Sequence, residues 1–172
     1  MNSKIYRLGT IGLLALSLTG CPPKKQIKTE EAKPEEQAQQ PVKPTEEPSL
    51  RGKDYKEVPE IGMIYFDLDQ ATLRPDARET LKRNYEILKQ HEDWEALVEG
   101  HCDERGTTEY NLGLGQKRAA AVRQYYMTLG ISGTKVATIS YGKENPICTE
   151  HSDDCWGRNR RGTTKVRAPE NK

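Results

Sequence analysis

One stretch narrows the choice of fold more than any other. Leu112, Gly115, Ala119, Val122, Tyr126 and Leu129 follow one another at helical spacing, so a single inward line runs through about five turns. The pattern predicts a long helix from about Thr108 to Leu129, with Gly130 as its left-handed stop. A helix with one apolar line must lie against another layer, and short apolar runs on either side supply it. Ile61 to Phe66 and Trp94 to Gly100 read as strands before it, with Ala96 and Val98 sharing a face; Lys135 to Tyr141 and Thr163 to Arg167 read as strands after it. Asp67 to Gln70 turns the chain. Pro75 suits the first turn of a shorter helix that points Leu81, Tyr85 and Leu88 inward. Strands alternating with helices give an α/β layer architecture. The segment from Gly142 to Arg161 reads as a long loop, which in a compact domain points to function or to bracing.

The first 57 residues stand apart from this pattern. Lys4 and Arg7 precede an apolar run, Ile11 to Leu18, that falls far short of the ~20 residues a spanning helix needs. Residues 1–20 therefore read as an export signal. The run ends Leu18-Thr19-Gly20-Cys21, which resembles the bacterial lipobox, where cleavage before the cysteine leaves a lipid-bearing thiol. An ordinary secretory cleavage site is the alternative. Pro22 follows where an aspartate would favour inner-membrane retention, so the outer membrane is the expected location. Residues 21–57 carry Pro22, Pro23, Pro34, Pro41, Pro44 and Pro48 among Lys, Glu and Gln, with no apolar line. Such a chain reads as a flexible, extended linker, able to reach about 100 Å at full stretch. Residues 58–168 are left for the folded domain and 169–172 for a tail. Lys+Arg of 27 against Asp+Glu of 26 gives no electrostatic reason to expect nucleic acid as a partner.

Chemistry gathers between the second strand and the long helix, in Glu99 to Asn111. Strand ends of α/β folds are common ligand sites. Asn111, Leu114 and Arg118 form a stripe beside the core line and border a cleft that Asp103 faces from the loop; Asn159, Arg160 and Arg161 add donors near the C-terminus. An acid and a guanidinium around one pocket suit a zwitterion, an ammonium at Asp103 and a carboxylate at Arg118. An internal Asp103–Arg118 salt bridge is the competing reading.

Ile64-Tyr-Phe-Asp-Leu-Asp69, Glu99-Gly-His-Cys-Asp-Glu-Arg-Gly-Thr107, Glu109-Tyr-Asn111, Leu114-Gly-Gln-Lys-Arg-Ala119, Ser140-Tyr-Gly-Lys-Glu-Asn-Pro146 and Asn159-Arg-Arg161 together resemble the peptidoglycan-associated lipoprotein family, within the wider OmpA-like group. The resemblance implies an α/β (α+β) sandwich, a small mixed β-sheet packed by helices. It implies a pocket for meso-diaminopimelate of the peptidoglycan stem peptide, with Asp103 on the ammonium and Arg118 on the carboxylate. Asn111, Asn159 and Arg160 would complete the polar lining, Phe66 and Asp67 a wall, and Leu114 an apolar contact. The implied partners are peptidoglycan and the periplasmic propeller protein of the Tol system. An OmpA-like lipoprotein outside that system is the alternative. Gly162-Thr-Thr departs from the apolar strand the family usually places there, which puts the last strand's pairing in question.

Cys148 and Cys155 lie seven apart, and in an oxidising compartment a disulfide is their expected state, with Cys102 left free. A zinc site built from His101, Cys102, Cys148, His151 and Cys155 is the rival. No cofactor and no metal are expected. The sequence offers no enzyme signature: His101 and Cys102 are strand neighbours that point to opposite faces. The chain reads as a binder, with a cell-wall hydrolase as the remote alternative.

Overall fold

The computed structural model describes residues 47–50 and 54–168. The export signal, Cys21, most of the linker and the tail lie outside the described residues. The elements run β1 (Ile64–Tyr65), α1 (Pro75–Gln90), β2 (Glu95–His101), α2 (Thr108–Leu129), a single 3₁₀ turn, β3 (Val136–Gly142), α3 (Asp153–Asn159) and β4 (Arg161–Arg167). The sheet order is β1-β4-β2-β3. β2 and β3 are parallel, joined across one face by α2, while β4 runs antiparallel to both β1 and β2.

The core lies between the sheet and α1 with α2. Alternation along β2 sends Ala96 and Val98 inward, where they meet Leu81, Ala119, Val122, Tyr126, Val136 and Val166. Polar groups inside this core are paired. Tyr126 Oη lies 3.0 Å from Thr164 Oγ1, and Asn84 donates to Tyr126 Oη. α2 starts with the Thr107 hydroxyl accepting from Tyr110 N and ends at Gly130 with φ of 114°, the left-handed stop read from the sequence.

Several expectations need correction. The first strand pairs over two residues only, because the Asn84 amide takes both the N–H and the carbonyl of Gly62 and removes it from the ladder. Leu112 is exposed: the buried line of α2 enters through Asn111 instead, then Gly115 and Arg118. The last strand is longer than expected and fully paired, so Gly162-Thr-Thr is a central strand despite its composition. Gly162 serves there because Ile64 and Phe66 pack over it. Inside the expected loop sits α3, a short helix without an apolar stripe, started by the Ser152 hydroxyl and tied by the Cys148–Cys155 disulfide. Part of the expected linker belongs to the fold: Lys56 pairs with Val166, and the Glu47 carboxylate accepts from the N–H and hydroxyl of Thr138 on β3.

Candidate functional site

The end of β2, the start of α2, the β1–α1 turn and the α3–β4 junction meet around a cleft of about 290 Å³. It is lined by Leu68, Asp69, Cys102, Asp103, Arg105, Gly106, Tyr110, Asn111, Leu114, Arg118 and Arg160. These segments converge because α2 lies unusually close to β2. A Cβ on Gly100 would stand 1.9 Å from the carbonyl oxygen of Gly115, so glycine there lets helix and strand touch.

Asp103 is 4% exposed and accepts four hydrogen bonds. Oδ1 takes Arg105 N and Nε, and Oδ2 takes Arg105 Nη2 at 2.6 Å and Arg160 Nη1 at 3.1 Å. Burial alone would raise its pKa, but the Arg105 and Arg160 donors outweigh burial and hold the carboxyl below its usual range.

Arg118 is completely buried. Its Nε donates to Gln70 O, Nη1 to His101 O and Cys102 Sγ, and Nη2 to Asp67 O, while its face lies 5.0 Å from the Phe66 ring centre. No Arg118 hydrogen bond in the structure goes to Asp103, so the internal salt bridge is replaced by Arg105 and Arg160 on the acid and by carbonyls on the base. Of five guanidinium N–H groups, four are engaged, which leaves one uncommitted rather than a free fork. Burial depresses its basicity, and the thiol of Cys102 and the charge of Asp103 partly offset this.

The structure brings Asp103, Asn111, Leu114, Arg118 and Arg160 together as the spacing suggested. Phe66, Asp67 and Asn159 are not among the lining residues. Phe66 is buried behind Arg118, and Asp67 contributes its carbonyl while its exposed carboxylate meets Arg74. Asn159 is spent on the loop, where its Oδ1 accepts from Ile147 N and Cys148 N and its Nδ2 donates to Cys148 O. Asn111 Nδ2 donates to the carbonyls of Arg105 and Thr107 and fixes the loop that carries Asp103. Sequence reasoning missed Leu68, Asp69, Cys102, Arg105, Gly106 and Tyr110 as lining residues. Arg105 had a signal, a guanidinium two positions after the key acid. The bond between Tyr110 Oη and Asp69 had none, since 41 positions separate them.

The thiols divide as expected. Cys148 and Cys155 form a disulfide with Cα atoms 5.4 Å apart, which takes two of the five donors the zinc reading required. Cys102 is free and buried; burial pushes its thiol pKa up, and Sγ contacts Asn111 O. His101 points to the other face and stacks on Tyr141.

The OmpA family model matches residues 65–160, more than half of the chain. The chain belongs to the OmpA family. Among curated relatives, the peptidoglycan-associated lipoprotein of Mesorhizobium japonicum is 46% identical over 103 residues, covering 60% of this chain and 61% of its own. That of Pseudomonas aeruginosa is 42% identical over 101 residues, 59% of this chain and 60% of its own. The match thus spans about three fifths of these relatives' length. The crystal structure of the peptidoglycan-associated lipoprotein from Burkholderia pseudomallei superposes with a TM-score of 0.59 at 38% identity, covering 61% of this chain and 89% of that one. The C-terminal domain of Helicobacter pylori MotB reaches the same TM-score at 20% identity, covering 64% of this chain and 88% of that one, and shares the fold alone. No helix among the described residues of this OmpA-family chain is long and apolar enough to cross a membrane.

Proposed function

We propose that this chain is an outer-membrane lipoprotein, anchored by lipid on Cys21, that grips peptidoglycan without cutting it and tethers the membrane to the wall within the Tol–Pal system. The observation that carries the reading is the cleft itself: one buried carboxylate, Asp103, with the guanidinium groups of Arg118 and Arg160 around one small space. A free diaminopimelate terminus presents an ammonium and a carboxylate a few bonds apart. Asp103 receives the ammonium. The remaining N–H of Arg118, with Arg160 beside it, receives the carboxylate, and Leu114 packs against the aliphatic stem. The identity to proteins named peptidoglycan-associated lipoprotein supports the same ligand class. The lipobox-like Cys21 and the Pro-rich residues 21–57 support the tether, which brings the Tol propeller protein into reach as a partner in envelope integrity and division.

The test is cosedimentation of the full-length chain, in detergent, with purified sacculi. Asp103→Ala is expected to lose about 2 kcal/mol of binding, roughly 30-fold. Undiminished pelleting of a folded Asp103→Ala protein sinks the reading, as does release of soluble wall fragments by the wild-type protein. Arg118→Ala is the poorer probe, because it also strips three backbone carbonyls of their partner.

A further inference from the structure

The Asp103 carboxylate has about four acceptor positions, and the protein's own donors already fill four. Its side chain is only 6% exposed. A ligand cation therefore reaches Asp103 only by displacing something. The two guanidinium groups on it differ in how firmly they are held. Arg160 is 18% exposed, its Nε donates to Phe66 O, and its backbone is bonded to Phe66 on one side and Trp156 on the other. Arg105 is 37% exposed and stands on the β2–α2 loop next to Gly106, whose φ is +88°. Its Nε and Nη2 both go to Asp103, and its flat face lies 4.3 Å from the centre of the Trp156 ring.

Trp156 is itself held. Its Nε1 donates to Glu104 Oε1 at 2.7 Å, and the same oxygen lies 2.6 Å from His151 Nδ1. Trp156 follows Cys155, so the disulfide to Cys148 ties the turn that presents the ring. A stacking platform beside the acid gives the guanidinium a seat that does not depend on Asp103.

We propose that Arg105 is a gate on this cleft. Closed, it occupies Asp103; a ligand ammonium takes its place on the carboxylate, and Arg105 swings aside along the Trp156 ring. The proposal rests on the cleft being a site for an amino-acid terminus. A terminus without a free ammonium has nothing to offer Asp103 and leaves the gate shut, so the gate selects for an uncapped amine. Because the closed form does not bind, the apparent affinity is reduced by the open fraction. Removing the gate therefore tightens binding.

The experiment measures binding of the full-length chain in detergent to a soluble muropeptide with an uncapped diamino-acid terminus, and to the same peptide N-acetylated on that amine. Arg105→Gln is expected to bind the uncapped peptide roughly fivefold more tightly than wild type, as for a gate shut about four fifths of the time. Arg105→Lys, which keeps the charge but loses the fork, falls between. Neither change helps the acetylated peptide. A Trp94→Phe background leaves Trp156 as the tryptophan emitter. There, the uncapped peptide shifts its emission, and adding Arg105→Gln abolishes that shift, which a purely structural Arg105 would not do. Equal or weaker binding by either Arg105 variant overturns the gate while leaving the wall-binding reading intact. A wild-type protein that binds neither peptide nor sacculi removes that reading, and the gate with it.

Discussion

His101 is 1% exposed, its Nε2 lies 3.4 Å from Glu99 Oε2, and neither ring nitrogen has a well-formed hydrogen bond among the described residues. Burial is the leading cause holding its pKa below the ordinary 6.5; Glu99 pulls it back up, while Arg161 and Lys165 push it down. In the unfolded chain the imidazole takes its proton near 6.5, whereas the folded protein resists until a lower pH. Below 6.5 the unfolded state holds more protons, so stability is lost as pH falls through this range. Glu99 acts in the same direction at lower pH. Burial would raise its carboxyl, but His101, Lys165 and Thr163 outweigh that and hold it below 4.5, so its contribution is present above 4.5 and is lost as pH falls through the folded value. Urea unfolding across pH should show an acid slope that His101→Gln flattens just below pH 6.5; because His101 is also one of the groups holding Glu99 down, the part below 4.5 should lessen as well. An unchanged upper slope would remove His101 as its source. At this scale the sequence was informative about residue type and silent about partners. Asp103 stood out as an acid among glycines at a strand end, and Arg105 lies two positions on, yet nothing in the letters says that Arg160 also bonds to it while Arg118 turns to the carbonyls of Asp67, Gln70 and His101.

Between elements, the close contact of α2 and β2 rests on Gly100 and Gly115. Ser140 Oγ would stand 2.2 Å from a Cβ on Gly115, so both strands beneath the helix are in near contact with it. Gly100→Ala drives a methyl into the Gly115 carbonyl and must lift the helix from the sheet. We expect a loss of about 3 kcal/mol in denaturant unfolding, with wall binding reduced in parallel because α2 carries Asn111, Leu114 and Arg118. Full stability would show that the contact relaxes at little cost. α3 depends on covalent support instead. Replacing both Cys148 and Cys155 by serine removes a small-loop cross-link worth about 2.5 kcal/mol in the chain-entropy model. Circular dichroism melts of this variant should move down by the corresponding amount, and no change would place the brace elsewhere. The bounds of the long helix were legible because most of its inward line is periodic and Gly130 marks its end; its first inward position, Asn111 rather than Leu112, was not. α3 was not, because seven residues with Gly157 inside make no stripe and are stabilised by Ser152 and the disulfide.

For the molecule as a whole, the proposed function needs two grips, a lipid at Cys21 and a cleft around Asp103, joined by residues 21–57. Their independence is testable. Cys21→Ser should leave sacculus binding by the full-length protein within twofold, about 0.4 kcal/mol, while abolishing its recovery in the membrane fraction. Loss of wall binding in that variant would mean the anchor takes part in the site. The order of the strands and the two longer helices, the length of α2, the disulfide pair and the residue types of the cleft were set by local spacing and chemistry, which a linear chain records. Tertiary structure alone decided that β4 lies between β1 and β2 with Gly162 under Phe66, that Asn84 cuts the first strand short, and that Arg105 rather than Arg118 closes on Asp103. Those outcomes depend on which of several chemically similar groups come together once helices and sheet are packed, and residue type alone does not record that.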